Sequence, residues 1–121
     1  MSKKSSTDYL RDLLLELDDI AAFTTEGKQQ FVRDAKTRKA VIRSYEVVGE
    51  IAKRLPVELR RANSPVNWQM LIGFRDFLAH HYEEVILENI WAAVEDLPNL
   101  RAAVEAMLAD LDDAGDEETE S

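Results

Sequence analysis

Cysteine is absent from this chain of 121 residues, so disulfide frameworks, thiolate zinc sites and cysteine nucleophiles are excluded. Four glycines and three prolines are too few for an all-β sandwich, and no stretch sustains a period-2 alternation. No apolar run approaches the ~20 residues that a membrane span needs, and no signal-peptide pattern opens the chain. The expectation is a cytoplasmic protein with no membrane partner. A Gly-rich phosphate loop, a convincing serine triad and a carboxylate cluster with histidine at metal-ligand spacing are also missing, so neither a metal nor another cofactor is expected. Basic residues are in deficit as well, 15 against 24 acidic ones, and the formal charge of −9 taken whole argues against a nucleic-acid partner.

Where the charges lie changes that last inference. Residues 28–61 carry ten basic side chains against four acidic ones, a net +6, whereas residues 76–121 hold fourteen acids and a single base, Arg101. Seven of those acids fall in the final twelve residues. Such a tail has nothing to bury and reads as solvated and disordered beyond Leu111. Without those twelve residues the body stands at −2, which no longer forbids RNA. The length suits one domain, placed at residues 1–111 with an acidic tail at 112–121, and is enough to bury about two thirds of the unfolded surface.

Apolar positions recur at helical spacing five times. Leu10, Leu13, Leu14, Leu17, Ile20 and Ala21 follow a Ser/Thr/Asp cluster fit to cap a helix. A second stripe (Phe31, Ala35, Ile42, Tyr45, Val48, Ala52, Leu55) predicts one helix over residues 26–55, about 45 Å long, ended by Pro56. A loop over 62–66 contains Pro65. A third helix from Asn67 places Trp68, Leu71, Ile72, Arg75, Leu78, Ala79 and Tyr82 on one face. A fourth over 83–96 and a fifth opened by Pro98, with Leu100, Val104, Leu108 and Leu111 inward, complete an all-α antiparallel bundle of four to five helices. Gly49 reads as a close approach of two helices, Tyr45 as core, and Trp68 and Trp91 as packing.

The arginine inside the third stripe is the anomaly. The two histidines, His80 and His81, are adjacent and sit in Gly73-Phe-Arg-Asp-Phe-Leu-Ala-His-His-Tyr82. In an unbroken helix Arg75 and His80 are about 140° apart around the axis, so either the helix breaks near residues 79–80 or the two groups meet those of a second copy. Arg75 and Tyr82, seven residues apart, share a face. An arginine with a histidine suits a phosphodiester: the guanidinium holds phosphate oxygens and stabilises the charge that builds on them, and imidazole moves protons near neutral pH. With RNA the 2′-hydroxyl is a built-in nucleophile, and no metal is required. The structural alternative is that Arg75 pairs with Asp76 or a glutamate, His80 ends a helix and Tyr82 is core. Lys53, Arg54, Arg60 and Arg61 read as either a solvated helix end or an RNA groove. Glu50 pairs with Arg54 or buttresses Arg75 from the neighbouring helix.

The stretch from Trp68 through Gly73-Phe74-Arg75-Asp76 to His80-His81-Tyr82 resembles the HEPN superfamily and specifically its HepT-like toxins, whose hallmark is arginine, four residues, histidine, any residue, tyrosine. Arg43-Ser-Tyr-Glu-Val-Val-Gly-Glu-Ile-Ala-Lys-Arg-Leu55 is similar to the family's Gly-Glu-bearing long helix, and Leu97-Pro98-Asn99-Leu100 to the opening of its last helix. The resemblance implies a helical-bundle homodimer whose motifs line one cleft. It implies an endoribonuclease in which Arg75 binds phosphate and His80 is catalytic, with RNA as substrate. It further implies a nucleotidyltransferase antitoxin as partner, which transfers AMP to Tyr82. His81 fills the variable position and reads as a bystander near the site. Asp76 stands where the family often has asparagine; a carboxylate there can orient Arg75 or His80, or can weaken the phosphate site. A non-catalytic nucleotide- or RNA-binding module of the same superfamily and a helical adaptor are the rival functions.

Overall fold

The computed structural model describes residues 4–80 and 87–120, with side chains over 4–77 and 87–113. Among these residues it is all helix: α1 (Ser6–Phe23), α2 (Lys28–Arg33), α3 (Ala35–Arg54), α4 (Val57–Ala62), α5 (Trp68–His80), α6 (Leu87–Glu95) and α7 (Leu97–Glu120). None of these helices is long and apolar enough to cross a membrane.

Each end of α1 has a local cause. Ser5 caps it by accepting from the Asp8 amide at 3.1 Å, and Asp8 returns the bond to the Ser5 amide, a reciprocal capping box. At the far end the Thr24 amide and hydroxyl close on the Ile20 carbonyl, and Gly27, at φ +92°, makes the left-handed turn into α2. Leu10, Leu13, Leu17 and Ile20 are the buried stripe of α1, with Leu14 partly buried and Ala21 exposed.

The single helix expected over 26–55 is two. Asp34 sits between α2 and α3 in extended conformation and caps α3, its carboxylate accepting from the Thr37 hydroxyl at 2.6 Å and the Thr37 amide at 3.2 Å. That side-chain bond replaces the backbone ladder at this point, and the bend lets α2 fold Phe31 into the core against Trp91, ring centroids 5.6 Å apart. The same competition explains Ala35, expected inward and found exposed. A further turn of helix, α4, fills residues that periodicity left unassigned, since six residues are too few to show a stripe. Asn67 caps α5 through the Met70 amide at 3.0 Å. The expected fourth helix is observed as α6; residues 81–86, which include Ile86, lie outside the described residues. α7 is helical through the acidic segment, read in the sequence as disordered, to Glu120, and the last partly buried residue among its described side chains is Leu111.

α3 is the central element, packed between α1 and α5, with α7 on the other side of α1. α1 runs antiparallel to α3, since Lys4, Tyr9 and Asp12 share a surface hollow with Glu50, Ile51 and Arg54. It also runs antiparallel to α7, because Arg101 pairs with Asp18 and Arg11 with Asp112 at 3.7 Å. The core is one continuous cluster from Leu10 to Met107 that includes Tyr45, Val48, Trp68, Leu71, Ile90 and Val104. Each large side chain fully buried there contributes about 1.5–3 kcal/mol.

Candidate functional site

Arg75 is positioned by a glycine on the neighbouring helix. A Cβ built on Gly49 would fall inside contact distance of the Arg75 Cβ, 2.6 Å from the Leu71 carbonyl oxygen and 3.1 Å from the Arg75 Cγ. α3 and α5 therefore approach closely at this turn, and the base of the Arg75 side chain lies in the notch left by the missing Cβ. Tyr45, one turn earlier on α3, braces α5 with its ring 5.6 Å from that of Phe74. It is core, as expected, and its hydroxyl has no hydrogen-bond partner among the described residues. Burial, with the Asp96 charge adding, raises the phenol pKa far above its usual value, so Tyr45 stays neutral.

Arg75 is partly exposed, its side chain 36% accessible, and donates through Nη1 to Asp76 Oδ1 at 3.0 Å. Asp76 thus pairs with Arg75 from a half-exposed position. Glu50 does not reach toward Arg75: it pairs with Arg54 at 2.9 Å and lines the hollow between α3 and α1, away from α5. The backbone of α5 is helical through His80, so the break considered at residues 79–80 is not made on the N-terminal side of His81. The His80 side chain, His81 and Tyr82 lie outside the described residues, as do the side chains of Leu78 and Ala79.

Two features beside Arg75 went unread in the sequence. Met70, Gly73, Phe74 and Phe77 form an i, i+3, i+4, i+7 stripe on α5, and Asn89, Ala92, Ala93 and Asp96 form another on and just beyond α6. The two stripes line a mostly apolar cleft of about 660 Å³, and Met70 and Phe77 are 49% and 39% exposed. The signal was present as a second apolar stripe on the helix that carries the motif, but the stripe through Trp68 and Arg75 drew the reading away from it. Around Trp68, whose indole donates to the Asn63 carbonyl at 3.1 Å, α4 and the start of α5 enclose a second, cationic hollow.

Residues 13–107 match the family model described as ribonuclease HepT-like. Among similar curated proteins is one from Thermococcus cleftensis named "Probable ribonuclease HepT", 36% identical over 107 residues, covering 87% of this chain and 97% of that protein. Another, from Methanocaldococcus jannaschii and named "Putative RNase", is 37% identical over 114 residues, 93% of this chain and 94% of the relative. A third, from Caldanaerobacter subterraneus and also named "Putative RNase", is 37% identical over 107 residues, 87% of this chain and 96% of the relative. No solved structure matches.

Proposed function

The chain belongs to the ribonuclease HepT-like family, and from that premise we propose that it is a metal-independent endoribonuclease, the toxin of a toxin–antitoxin pair. Arg75 binds the scissile phosphate. The 2′-hydroxyl of the preceding nucleotide attacks phosphorus, its proton passing to one imidazole, and the bond to the departing 5′-oxygen breaks as a second imidazole protonates it. Arg75 stabilises the charge on the non-bridging oxygens as the new P–O bond forms. The observation that carries this reading is the notch at Gly49, which holds an arginine at the motif position with its guanidinium partly open to solvent.

A homodimer supplies the two imidazoles. Helical backbone through His80 separates Arg75 from His80 by about 140°, which favours a cleft shared by two copies over a site within one. The exposed apolar stripe of Met70 and Phe77 provides a surface for that pairing. A nucleotidyltransferase antitoxin then silences the toxin by transferring AMP to Tyr82, and the added phosphodiester neutralises the Arg75 guanidinium and repels RNA.

Purified protein incubated with RNA in EDTA should yield cleavage products that vanish in Arg75→Ala and in His80→Ala; products that require added metal, or that persist in His80→Ala, defeat the mechanism. Expression should arrest growth, with relief by the nucleotidyltransferase, and the toxin's intact mass should then rise by whole AMP units, lost in Tyr82→Phe. The Arg75–Asp76 pair favours one rival, an RNA-binding module without catalysis, since Asp76 already engages one Nη of the guanidinium and offsets part of the charge that would stabilise a transition state. That rival predicts Arg75-dependent binding and no product at any protein concentration.

A further inference from the structure

The basic stretch that reads in the sequence as either helix end or groove acquires a shape in the fold. α4, the turn after it and the start of α5 border an open concavity of about 530 Å³, in which Arg60, Arg61, Ser64, Asn67 and Gln69 stand around an apolar floor of Val57, Val66 and the indole of Trp68. Arg60 is tethered at the rim, its Nε donating to the Leu55 carbonyl at 3.3 Å. Arg61 is exposed and has no carboxylate partner among the described residues, whereas Arg54 and Arg43 are paired with Glu50 and Glu46 at 2.9 and 3.5 Å. Glu58, the acid of α4, does not line the concavity.

Guanidinium groups with hydroxyl and amide neighbours suit a phosphodiester: the arginines take the phosphate oxygens in pairs, and the neutral groups bond the sugar and bridging oxygens. A carboxylate-bearing protein would use the arginines but gain little from Ser64, Asn67 and Gln69. The place also fits. Trp68 and Arg75 lie seven residues apart on the α3-facing side of α5, about 10 Å along its axis.

We propose that this concavity holds a second backbone phosphate of the RNA strand that is cut at Arg75, with Arg61 as its principal ligand. The substrate is then a single strand of several nucleotides laid along α5, and a dinucleotide is bound by only half of the site. The inference rests on the reading of Arg75 as the phosphate-binding residue.

The test is a titration of the full-length protein, in a His80→Ala background so that the RNA stays intact, with a labelled single strand of about 20 nucleotides over a range of salt. Arg61→Ala should weaken binding about tenfold and reduce the slope of log K against log salt by about 0.7, the value for one lost single-strand phosphate contact, while Arg61→Lys keeps the slope. With His80 intact, Arg61→Ala should raise KM for the long strand, leave kcat unchanged and turn over a dinucleoside phosphate like the parent. Equal affinity and slope in the parent and Arg61→Ala overturn the inference while the ribonuclease reading stands. An equal loss on the dinucleotide also overturns it, because Arg61 would then act through the position of Arg75. Displacement of a polyglutamate peptide by Arg61→Ala, with RNA binding untouched, makes the hollow a protein-docking site instead. A parent protein that neither binds nor cleaves RNA defeats both readings together.

Discussion

Gly49 is the residue on which the site turns. Replacing a mid-helix glycine by alanine ordinarily gains up to about 1 kcal/mol of helix propensity. Here the added methyl meets a backbone carbonyl at 2.6 Å, which cannot rotate away, and the overpacking penalty of about 1–3 kcal/mol wins. Gly49→Ala should therefore lower thermal stability and, by pushing α5 outward at Leu71–Arg75, reduce RNA cleavage more than a core truncation of equal cost such as Ile42→Val; paired melting curves and turnover measurements check both. Glu16 offers a second residue-scale outcome. Burial, then the nearby Asp19 charge, with a smaller push from Asp12, raises its carboxyl pKa against the opposing Ser44 hydrogen bond and Arg43 charge. The native state thus holds that proton where the unfolded state has lost it, so stability falls as pH rises from 4.5 toward the raised value. Glu16→Gln should melt higher than the parent at neutral pH, and the gap should close below pH 4.5, as followed by circular dichroism.

At the scale of elements, the bend at Asp34 is the point where the sequence reading and the fold part. The stripe from Phe31 to Leu55 is continuous enough to be read as one helix, and periodicity records only which residues face inward. The Asp34-x-x-Thr37 spacing, a cap in the middle of that stripe, was the local signal that periodicity hid. The Thr37 hydroxyl holds the Asp34 carboxyl below its usual pKa, so the cap's contribution is present above the ordinary aspartate value and is lost as the pH falls through the lowered one. Asp34→Ala should lower the melting temperature at pH 7, Asp34→Asn should lower it less, and the deficit should shrink in acid. The four long stripes were legible because leucine and isoleucine at three- and four-residue steps have no other use in a water-soluble helix. α4, with two turns at most, had too few residues to declare itself. Of the site, the close approach at Gly49 and the pairing of Arg75 with Asp76 were legible in the sequence, whereas the choice of partner by Glu50 and the cleft beside Phe74 depend on how the helices are rotated, which a one-dimensional pattern leaves open.

At the scale of the whole molecule, the proposed dimer makes the exposed stripe on α5 the link between activity and assembly. Met70→Arg, which places a charge on that half-exposed surface, should convert a dimer to a monomer in sedimentation, abolish cleavage and leave helical content unchanged. Loss of the dimer with full activity retained would show that one copy holds a complete site. The antiparallel course of α1 against both α3 and α7 has a different consequence. The C-terminal end of α3, and with it α4 and Arg61, lies toward the same pole of the bundle as Asp112 and the acidic run of α7. At physiological salt, fields from exposed charges fade over about 8 Å. A polyanion near that pole therefore feels each exposed charge, of either sign, only at close range. If the hollow takes a backbone phosphate as proposed, added salt should weaken the complex at that pole, as read from the slope of log K against log salt.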